Sequence, residues 1–260
     1  MISNTPSNTP RYSLIIPAYN EAVYLPRLLD TVARARLRYH AGAASIEVIV
    51  ADNGSTDRTA QIGRARGCEV VAIEKRMIAA VRNGGARAAR GELLAFVDAD
   101  TRIHPDTFNE IDRALAGGRV VGGATGIQFE RSSVGLTCTY GMLMLLGTLI
   151  RLLCGAPPAL QVDTGVVFCR RCDFEEIAGY DEERFFAEDV QLLLDLGRLG
   201  RERGQRLARG TKAKAVCSTR KFDTYGDWHY FTLPFRLPWS ALYRHASMNR
   251  FAQRYWYEGR

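Results

Sequence analysis

Paired cysteines, histidines and long apolar runs are all scarce in this chain, and each scarcity closes off a class of protein. Cys169-Arg170-Arg171-Cys172 is the sole CxxC among six cysteines, and the whole sequence holds four histidines. No second pair stands at zinc-site spacing and no thioredoxin-like context surrounds the first. Reduced structural cysteines in a cytoplasmic protein are therefore expected. The most apolar stretch, Tyr140 to Cys154, has an uninterrupted core well short of the ~18–20 residues that cross a bilayer. Residues 1–10 carry Ser, Asn, Thr and Pro without a basic-plus-apolar signal pattern, and are expected to form a disordered lead. Internal repeats and low-complexity tracts are missing as well.

Acidic excess is also lacking. The formal charge of the 260 residues is +7, which favours anionic partners: nucleotide phosphates, phospholipid or nucleic acid. No RRM, zinc-finger or helix-turn-helix pattern accompanies that charge, so nucleic acid is set aside. The length suits one large α/β domain with a C-terminal extension.

The stretch Leu93 to Val97 is five apolar residues in a row, the pattern of a parallel strand buried on both faces. It ends in Asp98-Ala99-Asp100, followed by Thr101 and a helix opener at His104-Pro105-Asp106. Ligands of open α/β sheets sit outside the carboxyl ends of the strands. Two carboxylates there are hard oxygen ligands, suited to Mg²⁺ or Mn²⁺. An ordinary acidic turn is the plain alternative for Asp98 and Asp100 alone.

Tyr12 to Pro17, Ile46 to Ala51 and Glu69 to Ile73 read as further strands. The helices between them run from about Leu25, with Pro26 in the first turn, from a cap at Ser55 or Thr56 to Gly67, and from Ile78 to Arg90. This alternation predicts a doubly wound parallel sheet with the ends after Pro17, Ala51 and Val97 on one edge. Asp52, Asp57, Asp98 and Asp100 would then surround one cleft. After Gly117 the order changes: Val120 to Phe129 and Gln161 to Cys169 read as strands, and Glu188-Asp189 opens a helix. Acids at a helix start also have a plain structural use, complementing its dipole. Tyr140 to Cys154 reads as a packed helix, with a helix lying in a membrane interface as the sharper alternative. From Tyr225 onward come all three tryptophans and five arginines, a pattern shared by membrane-interface surfaces, wrapped tails and dimer contacts.

Six motifs in order carry a resemblance: Pro17-Ala18-Tyr19-Asn20-Glu21, Asp52-Asn53-Gly54-Ser55-Thr56-Asp57, Arg82-Asn83-x-Gly85, Asp98-Ala99-Asp100, Gly179-Tyr180-Asp181-Glu182 and Glu188-Asp189. From Tyr12 to Arg220 the chain resembles glycosyltransferase family 2. The resemblance implies a GT-A fold, a nucleotide-diphosphate sugar donor with UDP favoured, a divalent cation (Mn²⁺ or Mg²⁺), and inversion at the anomeric carbon. It implies a nucleoside pocket built from Pro17, Tyr19, Glu21 and Asp52, with Arg82 as a further nucleotide contact. Asp98, Ala99 and Asp100 match the segment that reaches the ribose and the cation, Asp100 being the cation ligand and Asp98 a ligand directly or through water. Asp189 matches the catalytic base, with Glu188 beside it. Arg220 and Lys221 stand where basic residues face the diphosphate or acceptor, a solvated basic loop being the plain alternative. Gly165 stands on the acceptor side.

Residues 11–222 would form one domain, 11–117 its nucleotide-sugar half and 118–222 its acceptor half, with 223–260 as an aromatic and basic extension. The Gln-x-x-Arg-Trp motif of processive synthases is absent, which favours a single transfer. The transmembrane helices of many polyprenyl-phosphate sugar transferases are absent too. The acceptor is a hydroxyl on a glycan, a lipid-linked or a small molecule, and the expected place is the cytoplasm, with contact at the inner face of the membrane and a homodimer as further readings. Two alternatives compete: a non-catalytic nucleotide-sugar-binding or membrane-associated scaffold, and a sugar-nucleotide pyrophosphorylase. The second lacks its Gly-rich loop after the first strand.

Overall fold

A computed structural model describes residues 9–154, 164–183 and 187–228. The expected lead up to residue 8 and the extension from residue 229 lie outside the described residues. The elements run β1 (Tyr12–Ala18), α1 (Leu25–Arg38), β2 (Ile46–Asp52), α2 (Thr59–Ala65), β3 (Glu69–Ala72), α3 (Ile78–Ala88), β4 (Leu93–Phe96) and α4 (Thr107–Leu115). There follow β5 (Val120–Phe129), α5 (Val134–Cys154), β6 (Val167–Arg170), α6 (Arg171–Glu176), α7 (Glu188–Glu202), β7 (Arg206–Cys217) and α8 (Arg220–Tyr225).

Among the described residues the strands form one sheet in the order β3-β2-β1-β4-β6-β5-β7. It is mostly parallel; β6 alone runs antiparallel, against both β4 and β5. Every residue of β1 and β4 is buried, as continuous apolar runs in a doubly covered sheet require. Successive side chains go to opposite faces. Leu14 and Ile16 join Val48, Phe108 and Ile111 under α1 and α4, whereas Ile15 joins Ile49, Phe96, Leu193 and Leu196 under α3 and α7. Gly85 lets α3 approach β1, since a Cβ there would lie 2.5 Å from the Ile15 side chain.

Several local expectations shift. Helix α2 starts at Thr59 without a side-chain cap, so neither Ser55 nor Thr56 plays that part. Asp57 staples two segments instead, accepting the backbone N–H groups of Thr59 and Ala22 at 2.9 and 3.0 Å. Helix α3 ends at Ala88 rather than Arg90. The strand expected over Gln161 to Cys169 is the shorter β6; residues 161–163 lie outside the described residues. Strand β7 was not expected. The segment with Arg220 and Lys221, for which a solvated basic loop was the plain alternative, is the start of α8. Helix α5 opens six residues earlier than Tyr140, at Val134, and leaves Val134, Leu145 and Leu149 exposed. No helix among the described residues is long and apolar enough to cross a membrane. Cys169 is buried in β6 and Cys172 exposed in α6, both as free thiols.

Candidate active site

Parallel pairing sets the site. Ala18 stands beside Asp52 and Ile15 beside Phe96, so the chain leaves β1, β2 and β4 on one edge of the sheet. Pro17 is buried at the end of β1 beside Ala51, and Tyr19 lies half-buried with the Arg76 guanidinium 4.9 Å over its ring. Asn20 has a positive φ of 52°. Its side-chain oxygen accepts the Thr56 N–H at 2.8 Å, which ties the first turn to the second.

Asp52 is buried, with Ser55 N–H reaching one oxygen at 3.4 Å. Its Oδ1 has no hydrogen-bond partner among the described residues. A buried acceptor left unmade costs more than an ordinary hydrogen bond gains, so the position is one a donor would fill.

The centre of the site is Arg82 on α3, whose side chain is 4 % exposed. Nη2 donates to Asp98 Oδ1 at 2.8 Å, and Nη1 donates to Glu188 Oε1 at 2.8 Å and Asp189 Oδ1 at 2.7 Å. One guanidinium thus gathers three carboxylates from the end of β4 and the start of α7. Its Nε finds no partner among the described residues. Arg82 lies against acids rather than standing open in the cleft. Tyr180 lies under it, 5.3 Å from ring centre to guanidinium, and its hydroxyl donates to Asp189 Oδ1 at 3.0 Å.

Burial raises the Asp189 carboxyl to about 6, because the pull of Arg82 toward the ionised form does not cancel desolvation and the neighbouring Glu188 and Asp98 charges. Burial and Asp189 likewise push the Tyr180 hydroxyl far above its ordinary range, so it stays a donor. Asn83 fixes this tyrosine, bonding both its backbone N–H and its carbonyl at 2.9 Å. Gly179 is required just before it: its φ is +72°, and a Cβ would meet Asn83 Oδ1 at 2.7 Å. Tyr180 and Asn83 had no assigned role from sequence. Their signal was the Asn and the Gly-Tyr pair inside two of the quoted motifs.

Ala99 is buried between its acidic neighbours. Asp98 keeps 55 % of its side chain exposed and Asp100 22 %. Arg220 of α8 crosses to this edge, donating to Asp100 Oδ2 at 3.1 Å and to both oxygens of Glu21 at 3.0 and 3.1 Å. Glu21 is 2 % exposed, so the β1 turn meets α8 through a buried ion pair. The structure therefore gathers Arg82, Asp98, Glu188 and Asp189 into one cluster and Glu21, Asp100 and Arg220 into a second. Gly165 belongs to neither; its N–H donates to Thr125 O at 2.9 Å and it packs against Ala215. The Lys221 side chain lies outside the described residues.

Asp98 and Asp100 are hard oxygen donors and fit Mg²⁺ or Mn²⁺. Among the described residues no group of three or more His, Cys, Asp or Glu side chains converges as a cation cage.

Residues 13–149, just over half of the chain, match the family described as Glycosyl transferase family 2. The chain belongs to this family. Similar proteins include validoxylamine A glucosyltransferase of Streptomyces hygroscopicus, 35% identical over 124 residues that cover 43% of this chain and 27% of that protein. The matched stretch thus spans about a quarter of that relative's length. Among solved structures, mannosyltransferase PcManGT of Pyrobaculum calidifontis, in complex with GDP-Man and Mn²⁺, superposes with a TM-score of 0.59 at 22% identity, covering 81% of this chain and 57% of that one. Glucosyl-3-phosphoglycerate synthase of Mycobacterium tuberculosis, in complex with Mn²⁺, UDP and phosphoglyceric acid, does so at 0.55 and 18%, covering 85% and 75%. These likenesses establish the mixed α/β GT-A fold with its mostly parallel sheet.

Proposed function

We propose that the chain is an inverting glycosyltransferase, moving a sugar from a nucleoside-diphosphate donor, UDP-linked by preference, to an acceptor hydroxyl in a single transfer. The observation that carries this reading is the convergence of Asp98, Glu188 and Asp189 on buried Arg82 at the carboxyl edge of the sheet. Residues 11–117 would hold the donor and 118–222 the acceptor. The buried Oδ1 of Asp52 supports a base-binding role, since it is an acceptor suited to a nucleobase N–H. Asp98 and Asp100 would hold the divalent cation. Bound there, it would act as a Lewis acid and neutralise charge on the departing diphosphate.

The acceptor oxygen forms its bond to the anomeric carbon from the face opposite the diphosphate, as the bond to the diphosphate oxygen breaks with its electron pair. Asp189 takes the hydroxyl proton. Its raised pKa makes it a stronger base than an exposed carboxylate, and the Tyr180 hydroxyl and Arg82 hold it in one orientation. Glu188 shares Arg82 and orients the same turn.

The test is a screen of UDP-, GDP- and dTDP-sugars for Mn²⁺-dependent binding and slow hydrolysis, with EDTA and Asp100→Ala as controls. A metal-dependent response to one donor is expected. Binding of no donor by the folded protein would return the reading to a scaffold. Exposed Leu145 and Leu149 on α5 support a further peripheral contact with lipid. Flotation with anionic liposomes that weakens with salt would bear that out, and absence from the lipid fraction at low salt would remove it.

A further inference from the structure

We propose that Arg220 and a divalent cation compete for Asp100, so that Arg220 is a built-in counter-charge which yields this carboxylate while remaining on Glu21. The inference rests on the reading of Asp100 as a cation ligand.

The geometry of the guanidinium makes the exchange inexpensive. Glu21 holds Arg220 by two bonds, Nη1 to Oε2 at 3.1 Å and Nη2 to Oε1 at 3.0 Å, and Glu21 is almost fully buried. The Tyr24 ring lies 4.6 Å from the same guanidinium. Arg220 gives Asp100 a single bond, at 3.1 Å, from an Nη2 that already serves Glu21. Breaking it frees one of the two Nη2 N–H groups, on a side chain that keeps 20 % of its surface exposed to water, while the other stays on Glu21. Asp100 is also the more exposed of the two acids, at 22 % against 2 %. A paired, planar fork of this kind stays with its bidentate partner and gives up its single one.

Two consequences follow. A divalent cation offered alone must displace a positive charge from Asp100 and binds weakly. A nucleoside diphosphate would offer acceptors to the released N–H as well as to the cation, and any gain in affinity that one ligand gives the other would be returned by the same factor.

Isothermal titration of Mn²⁺ alone into the unaltered chain and into Arg220→Gln tests the competition. Arg220→Gln should bind Mn²⁺ about tenfold more tightly than the unaltered protein, the scale of one charge-assisted hydrogen bond. Arg220→Lys, which keeps the charge without the fork, should fall between them. With saturating UDP the advantage of Arg220→Gln should disappear. Melting curves establish that each variant is folded, and Arg220→Lys decides the matter if Arg220→Gln is not. Equal or weaker Mn²⁺ binding by the variants would overturn the competition while leaving Asp100 as a ligand. Mn²⁺ binding that survives Asp100→Asn unchanged, or no binding with or without UDP, would remove Asp100 as a ligand and the competition with it.

Discussion

At the two ends of the sheet an arginine meets buried carboxylate, with opposite outcomes. At the amino end, Asp112 of α4 accepts from Tyr12, Tyr39 and Arg11 at 2.8, 2.7 and 2.9 Å. Burial pulls its carboxyl up, but those hydrogen bonds outweigh burial and hold it below the usual range. One acid has several donors. At the carboxyl end one arginine, Arg82, meets three acids, burial wins at Asp189 despite the Tyr180 hydroxyl, and Asp52 Oδ1 and Arg82 Nε are left without partners among the described residues. The satisfied cluster joins β1, α1 and α4, and its buried carboxylate and hydroxyls are paired within the fold. The unsatisfied one carries polar capacity that folding alone does not use, which is where function is expected to sit.

The largest effect separating the two ends is on turnover. Asp189→Asn should lower kcat about 10²–10⁴-fold with nucleotide affinity retained, the value of a general base. Near-normal turnover would take that role from Asp189. Next comes stability. Asp112→Ala strands the buried Tyr39 hydroxyl and takes one of two acceptors from Tyr12, and should cost about 1–3 kcal/mol in denaturant unfolding with donor affinity unchanged. Asp52→Ala should show the reverse, losing UDP affinity about tenfold while melting close to the unaltered protein, because one of its oxygens lacks a partner among the described residues and the other accepts a long bond of 3.4 Å.

The smallest effect is on pH. Asp189 acts as a base only when ionised, so kcat/KM should decline as pH falls below about 6. Tyr180→Phe removes a hydrogen bond that favours the ionised form, and should move that limb to higher pH by less than about one unit. A limb that stays in place would show that the Tyr180 hydroxyl does not act on Asp189.

The edge carrying Asp52, Asp98 and Asp100 was legible because doubly buried parallel strands are unbroken apolar runs, and their connections leave their ends together. Strand β7 left no such trace. Its buried positions are Leu207, Gly210, Ala213 and Ala215, mostly small, and they alternate irregularly with exposed Arg206, Arg209, Lys212 and Lys214. Basic residues suit an edge strand but hide its period. Arg82 stood out through its motif, as a nucleotide contact, but its burial among three acids did not. It shares α3 with Arg87, and Arg90 lies just beyond; both are more than two-thirds exposed, and only packing against α7 distinguishes the one that is buried. Arg220 was placed on the diphosphate or acceptor side by resemblance, but its pairing could not be read because Glu21 and Asp100 are 199 and 120 residues away.

The most direct measurement is a calorimetric titration of UDP with Mn²⁺ into the unaltered protein, Asp52→Ala and Asp112→Ala, at a temperature where all three are folded. Tight binding by the unaltered protein and Asp112→Ala, with a loss of about tenfold confined to Asp52→Ala, is the predicted result. Equal affinity in Asp52→Ala, or a loss confined to Asp112→Ala, would contradict the assignment of the carboxyl edge as the nucleotide site.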